Sequence, residues 1–220
     1  MRYTTSEENY LKAIFHLGHG QQEAVLTSEI ASNLNTTAAS VTDMLKKLSE
    51  KELVSYERYR GVRVTRKGER AALDVIRRHR LWEVFLTDVL KFGWDEVHHL
   101  AEELEHVSSD ELISRLDRFL GHPRFDPHGD PIPDKNGKLL AGKVRSLDGV
   151  NQGSEWVVSG VLDDATPFLQ FLNRKGIRPG IRLHVIHIDP YDQSMLVAVE
   201  SGREEYLSFD VTQLITVAQA

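Results

Sequence analysis

Apolar and polar positions change their period several times along the chain. Tyr10, Leu11, Ile14, Phe15 and Leu17 recur at helical spacing behind a Thr/Ser-and-acid start, which predicts an amphipathic helix from Thr5 to about His19. Thr27 or Ser28 can cap a second helix to about Leu34. Thr36 or Thr37 can cap a third to about Lys51, with Val41, Met44, Leu45 and Leu48 as its inner face and only Asn35-Thr36 as the link. From Val54 to Gly68 the run VSYERYRGVRVTRKG alternates on both sides of Gly61, as a two-stranded hairpin does. Helical spacing then returns from Glu69 to about Leu90, from Asp95 to about Glu105 and from Ser109 to about Leu120, with a break at Lys91-Phe92-Gly93.

Between Gly121 and Lys138 lie four of the seven prolines, Pro123, Pro127, Pro131 and Pro133, so this stretch is a linker or an ordered extended segment. From about Ser146 the period falls to two in short β-rich runs, SEWVVSGVL, GIRLHVIHI, SMLVAVES, EYLSFD and QLITVA, with at least one helical turn around Thr166 to Arg174. Five short strands in so little chain suggest a small barrel. The fold class is multi-domain α+β: an N-terminal winged helix-turn-helix over 1–73, an all-α segment over 74–140 that includes the proline-rich stretch 121–138, and a small β-barrel over 145–220.

The 220 residues suffice for a real hydrophobic core, no apolar run approaches the length of a membrane span, and the N-terminus has no targeting pattern. Cysteine is absent, which excludes disulfides, iron–sulfur clusters and thiolate zinc sites and makes the cytoplasm the default compartment. Net charge is −6, but its distribution matters more. Thr36 to Arg78 carries eleven Lys/Arg against six acids, whereas His79 to Asp134 carries thirteen acids against five bases and six of the ten histidines. A basic module followed by a carboxylate- and imidazole-rich one is the asymmetry expected if one part meets phosphate and the other a cation.

A helix-turn-helix needs a small residue where the helices cross, a residue tolerant of positive φ in the turn, and buried aliphatics in the second helix. Ala31, Asn35, Val41 and Met44 supply these in order. Thr37, Ala38, Ala39, Ser40, Thr42 and Asp43 are then the exposed residues at the start of the second helix. They are small enough to approach base edges and phosphates, and none is an Arg for guanine reading. Thr27, Lys47 and the hairpin's Arg60 and Arg63 complete the candidate DNA-contacting set. The competing reading is an αα-hairpin of some other helical domain.

His79 and Glu83 share a helix face at i, i+4, and His98, Glu102, Glu105 and His106 share another at i, i+4, i+7 and i+8. These are metal-donor residue types at a period that gathers them, against the plainer reading of solvated charge. Carboxylate and imidazole without thiolate suit Mn(II), Fe(II), Co(II) or Zn(II) and favour the harder ions. His99 points about 100° away from His98 and reads as surface. His16, His19, His184 and His187 lack such partners.

With these residues in hand, the chain resembles the diphtheria-toxin-repressor family of metal-dependent bacterial transcription regulators, in its manganese-type long form. The matching pieces are TSEENYLKAI, the helix-turn-helix from Thr27 to Leu53, the wing ending VTRKG, RHRLWEVFL, VHHLAEELEHVSSDEL, DPHGDPIP and an SH3-like tail; together they cover nearly the whole chain. The resemblance implies that 74–140 dimerises and binds metal. It implies His79, Glu83 and His98 as ancillary-site ligands and Glu102, Glu105 and His106 as primary-site ligands, with a glutamate at 102 as in manganese-type members. The first-helix donor falls on Asn9, a weaker neutral ligand, for which Glu8 substitutes if the helix register differs. Lys12 stands where short manganese regulators carry a bridging glutamate, which argues for the two-site version. From the tail Asp164 aligns as a carboxylate ligand, Asp163 being one residue off, and the second tail donor falls on Pro167, which cannot ligate.

Three functions compete. The first is a cytoplasmic homodimeric repressor activated by Mn(II), or alternatively by Fe(II), that binds a palindromic double-stranded DNA operator controlling metal-uptake or homeostasis genes, with no membrane and no small organic substrate. In it the metal ties the DNA-binding module to the dimer-forming helices. The second, a metal-dependent hydrolase, lacks a nucleophile elbow, a phosphate loop and an HExxH helix. The third is a metal-independent winged-helix regulator.

Overall fold

In a computed structural model, residues 3–57, 60–107, 109–139 and 144–219 are described. The chain divides into two compact units: Met1–His79, Glu102–Arg115 and Pro133–Leu139 form the first, and Arg80–Ala101, Leu116–Ile132 and Leu140–Ala220 the second.

In the first unit, α1 (Thr5–Leu17) starts from a reciprocal capping box, Glu7 N–H donating to Thr4 Oγ1 (3.3 Å) and Thr4 N–H to Glu7 Oε2 (3.0 Å). Its last residue is Leu17, two before the predicted end, and Gly18 is the C-cap. The helix-turn-helix consists of α2 (Thr27–Asn33) and α3 (Ala38–Glu50). Asn35 takes the left-handed conformation expected of the turn (φ 47°), and Thr37 caps α3 by accepting from Ser40 N–H. The expected cap at Thr27 or Ser28 is corrected. Leu26 is the N-cap; it has no side-chain oxygen to accept a first-turn N–H, and the Glu29 carboxylate accepts the Leu26 N–H (2.7 Å). Ile30, Val41, Leu45 and Leu48 are fully buried with Leu11 and Ile14, whereas Ala31 and Met44 are only partly so.

Strands β1 (Val54–Glu57) and β2 (Gly61–Val64) pair antiparallel, Val54 with Val64 and Tyr56 with Val62. The predicted hairpin is shortened at its far end, because Thr65 Oγ1 accepts Gly68 N–H (3.1 Å) and begins α4 (Arg66–Asp88). Gly68 is therefore helical, and any Cβ there would collide with Leu53 O at 1.9 Å. The remaining helices are α5 (Val97–Leu104) and α6 (Asp110–Phe119), each slightly shorter than its apolar pattern. α4, α5 and α6 each contribute residues to both units.

The second unit is built on a six-stranded antiparallel sheet in the order β3-β8-β4-β5-β6-β7: β3 (Arg145–Ser146), β4 (Glu155–Val161), β5 (Arg182–Ile188), β6 (Met195–Val199), β7 (Glu204–Leu207) and β8 (Ile215–Gln219). Helix α7 (Thr166–Arg174) joins β4 to β5 and α8 (Phe209–Gln213) joins β7 to β8. The five predicted runs are all strands, with β3 added. The expected small β domain is present as an antiparallel sheet whose ladder is not closed, β3 and β7 being its edges among the described residues. Val158, Leu169, Leu172, Leu183, Val185, Val197, Ile215 and Val217 pack its core.

The proline-rich stretch is ordered. Asp126 Oδ1 accepts the N–H groups of His128 (2.9 Å) and Asp130 (3.0 Å), and Val161 N–H donates to His128 O (2.9 Å). This turn lies against β4 because two glycines meet there: a Cβ on Gly129 would sit 2.0 Å from Ser159 O, and one on Gly160 2.5 Å from His128 O.

Candidate metal centre and nucleic-acid interface

In the second unit, Glu83 on α4 is 1% exposed and is the hub of a donor group. Its Oε1 lies 3.5 Å from His98 Nδ1 on α5, and that same nitrogen is 3.4 Å from Asp164 Oδ2 in the turn before α7. Asp163 points elsewhere, its Oδ1 accepting Ala165 N–H (2.9 Å). Pro167 fits the first turn of α7, where a missing N–H is harmless.

On its other oxygen Glu83 meets a partner that periodicity did not reveal: His128 Nδ1 is 3.6 Å from Oε2, and His128 Nε2 lies 2.8 Å from Trp94 O. A carbonyl only accepts, so Nε2 carries the proton and Nδ1 is the nitrogen turned to the carboxylate. Burial opposes charge on His128, yet the hydrogen bond to Glu83 and the negative charges of Glu83 and Asp126 outweigh it and push the imidazole to about 9. Asp126 shifts upward through burial and the negative charges of Glu83 and Asp130, against the Arg80 guanidinium. Donor atoms of Glu83, Asp126 and His128 all lie within 4.8 Å of one another. Asp126 and His128 are the residues sequence reasoning missed. The available signal was a histidine between two aspartates in DPHGD, a Gly/Pro turn with no face to read.

In the first unit, Glu105, just past α5, is 1% exposed. Its Oε2 is 2.7 Å from His79 Nδ1, its two oxygens accept from Lys12 Nζ at 2.8 and 2.9 Å, and Oε1 lies 3.7 Å from His106 Nε2. Burial pushes the Glu105 carboxyl up, but the His79 hydrogen bond and the Lys12 charge prevail and hold it below the ordinary glutamate value. His106 Nδ1 is 2.7 Å from Glu8 Oε2, and Glu8 Oε1 accepts from Arg78 Nη2 (2.7 Å). Glu8, and not Asn9, is thus the first-helix residue at His106; Asn9 is half-buried. Glu102 is half exposed and lies 3.5 Å from Lys12 Nζ. His79, one helical turn before Glu83 on α4, meets the carboxylate of Glu105. Among the described residues the donor atoms of Glu102, Glu105 and His106 do not gather within 4.8 Å.

Oxygen and imidazole donors, several of them buried and none a thiol, fit a divalent ion of intermediate or hard character.

The candidate DNA-contacting residues all lie in the first unit. Thr37, Ala38, Ala39, Ser40, Asp43 and Lys47 are exposed at and along α3, and Thr42 is half-buried, its hydroxyl donating to Ala38 O (2.8 Å). Thr27 opens α2 half-buried. In the wing Arg60 is 81% exposed beside Glu57. Arg63 is exposed too, but its Nη1 donates to Gln21 O (3.0 Å) and Gln22 O, tying β2 to the loop before α2. No helix among the described residues is long and apolar enough to cross a membrane.

A winged helix-turn-helix, followed by helices bearing carboxylate–imidazole groups and a small antiparallel sheet domain, defines a metal-responsive DNA-binding regulator. Comparison with known proteins gives the family. The N-terminal DNA-binding domain of iron-dependent repressors matches residues 2–62, their metal-binding and dimerisation domain residues 65–134, and the FeoA domain residues 145–219. A solved manganese-dependent transcriptional repressor in complex with manganese is 35% identical, superposes with a TM-score of 0.84, and aligns over 97% of this chain and 100% of that one. The chain therefore belongs to the iron-dependent repressor family, whose members are transcriptional repressors and not enzymes. The iron-dependent repressor IdeR of Mycobacterium tuberculosis is 35% identical over 128 residues, 57% of this chain and 54% of that protein, so the chain spans about half the length of that curated relative in the alignment. The diphtheria toxin repressor of Corynebacterium glutamicum is 28% identical over 96% of this chain and 94% of that protein.

Proposed function

We propose that this protein is a homodimeric transcriptional repressor that binds a palindromic DNA operator when loaded with Mn(II), and that it controls metal-uptake or homeostasis genes in the cytoplasm. On this reading 1–73 binds DNA, 74–140 dimerises and binds metal, and 145–220 is the SH3-like domain. The observation that carries the reading is the donor chemistry: Glu8, Glu102, Glu105 and His106 in one unit and Glu83, His98 and Asp164 in the other supply only oxygen and imidazole. An oxygen-rich set does not reward softer ions, which narrows the intrinsic advantage of Zn(II) and leaves geometry and metal availability to select Mn(II).

When bound, the cation supplies positive charge that several carboxylates can share. Glu8 on α1 and His106 after α5, already 2.7 Å apart, would be held together by it. The orientation of the helix-turn-helix carried by α1 would thereby be selected, and two recognition helices of a dimer would fit successive major grooves about 34 Å apart. Exposed Leu90, Phe92 and Phe119 supply apolar surface for the dimer contact.

The test is selection of DNA from a random duplex pool by the full-length protein, followed by a binding titration with Mn(II), Fe(II) under anaerobic conditions, Co(II), Zn(II) or chelator. Tight binding with Mn(II) that chelator abolishes is expected. Undiminished binding in chelator would make the protein a metal-independent regulator, and binding with Fe(II) alone would make it an iron sensor.

A further inference from the structure

We propose that Lys12 competes with the activating cation: its ammonium and a divalent ion draw on the same Glu105 and Glu102 carboxylates, so that Lys12 sets the metal concentration at which the candidate site fills. The inference rests on the reading of Glu102, Glu105 and His106 as metal donors and concerns how that site is regulated.

Lys12 lies one helical turn after Glu8 on α1, so both project from one face. Its Nζ sits between the two Glu105 oxygens at 2.8 and 2.9 Å and 3.5 Å from Glu102 Oε1. The Glu105 side chain is 1% exposed and that of Lys12 17%, so water screens the contact little. The Glu105 oxygens are heavily used: Oε2 faces both Lys12 and His79, and Oε1 faces Lys12 with His106 Nε2 behind it. Three contacts on about four lone-pair sites leave Glu105 little room for a further ligand, and a divalent ion bound there would lie close enough to the Lys12 ammonium for the two positive charges to repel.

The charge balance points the same way. Glu8, Glu102 and Glu105 bring three negative charges, against two positive ones from Lys12 and Arg78. Arg78 is fixed by Glu8 Oε1 and by the Glu105 carbonyl, so of these two cations Lys12 is the one whose removal would leave these groups at −2, the charge that a divalent ion neutralises. Were Lys12 only a structural partner of Glu105, its loss would destabilise the fold and leave metal affinity equal or lower.

The experiment measures Mn(II) affinity of the full-length protein by competition with a fluorescent chelator, in parent, Lys12→Gln, Lys12→Met, Lys12→Arg and Glu105→Ala. The binding step that Glu105→Ala removes should tighten about tenfold in Lys12→Gln and Lys12→Met, the size expected for releasing one charge-assisted hydrogen bond. It should stay near the parent value in Lys12→Arg. Equal or weaker binding in both neutral variants overturns the inference. If Glu105→Ala itself binds Mn(II) like the parent, the site assignment has failed, which is a separable result. Should the neutral variants not fold, the parent decides. Acetylation of Lys12, read by mass spectrometry, should accelerate several-fold on Mn(II) saturation while that of exposed Lys46 does not, and an unchanged Lys12 rate is the refuting outcome.

Discussion

Replacing Asp164 by Ala separates a metal ligand from a turn residue, because the neighbouring aspartate provides the control. Asp164 Oδ2 stands 3.4 Å from His98 Nδ1 while the Asp164 side chain is 56% exposed, so in chelator the contact is worth at most ~1 kcal/mol. For a chain of this length that is a shift of no more than about 2–4 °C in Tm. If Asp164 completes a cation shell with Glu83 and His98, losing one charged oxygen should weaken Mn(II) at that site by about 10- to 100-fold, equivalent to ~1.4–2.8 kcal/mol. Asp163→Ala should do the reverse. Its Oδ1 holds Ala165 N–H at 2.9 Å at the start of α7, so stability falls by ~1 kcal/mol and metal affinity holds. Calorimetric Mn(II) titration and urea unfolding in chelator, on both variants, read the two quantities independently. Unchanged stoichiometry and affinity in Asp164→Ala would refute the assignment, and equal losses in both variants would mean that the turn's geometry matters and not its ligand.

Glu102→Ala or His106→Ala should abolish Mn(II)-dependent DNA binding in a mobility-shift assay while far-UV circular dichroism stays unchanged, since neither side chain fills the apolar core; a full Mn(II) response would remove them from the site. Arg60→Ala should weaken binding to all sequences and flatten the log–log salt dependence by about one unit for each phosphate it ceases to neutralise; an unchanged slope would place the wing off the DNA backbone. Arg63→Ala should also lower stability by ~1 kcal/mol, because its guanidinium holds the carbonyls of Gln21 and Gln22; an unchanged urea midpoint would contradict this. Glu7 is pushed up by burial, but Lys51 and the Thr4 N–H bring it below the ordinary glutamate value. A depressed folded-state pKa stabilises above the unfolded value near 4.5 and is lost as pH falls through the folded one. The stability gap between parent and Glu7→Gln should therefore be full at pH 7 and close below about pH 4.5, and a pH-independent gap would refute the link.

What the sequence determined by itself was whatever rests on local period and local stereochemistry. The helices at 5–17 and 38–50, the long helix from Glu69 onward and the strands at 155–161, 182–188 and 195–199 follow from apolar spacing, because a single face must be buried whatever lies opposite. Asn35 could be assigned to positive φ from residue type alone, since a short polar side chain tolerates that conformation. The i, i+4 spacing likewise put His79 with Glu83 and His98 with Glu102 on common faces. Tertiary structure decided the rest. Glu8 and His106 are 98 positions apart, and which of two adjacent residues, Glu8 or Asn9, meets the imidazole depends on the rotation of α1 against its neighbours, an angle of about 100° per residue that no local pattern encodes. His128 reaches Glu83 from a turn held against β4 by two glycines, and a turn has no period from which its direction could be read. Lys12 reads as an ordinary solvated lysine until folding closes it over a buried carboxylate, because burial of Glu105 demands a counter-charge and α1 supplies the one within reach.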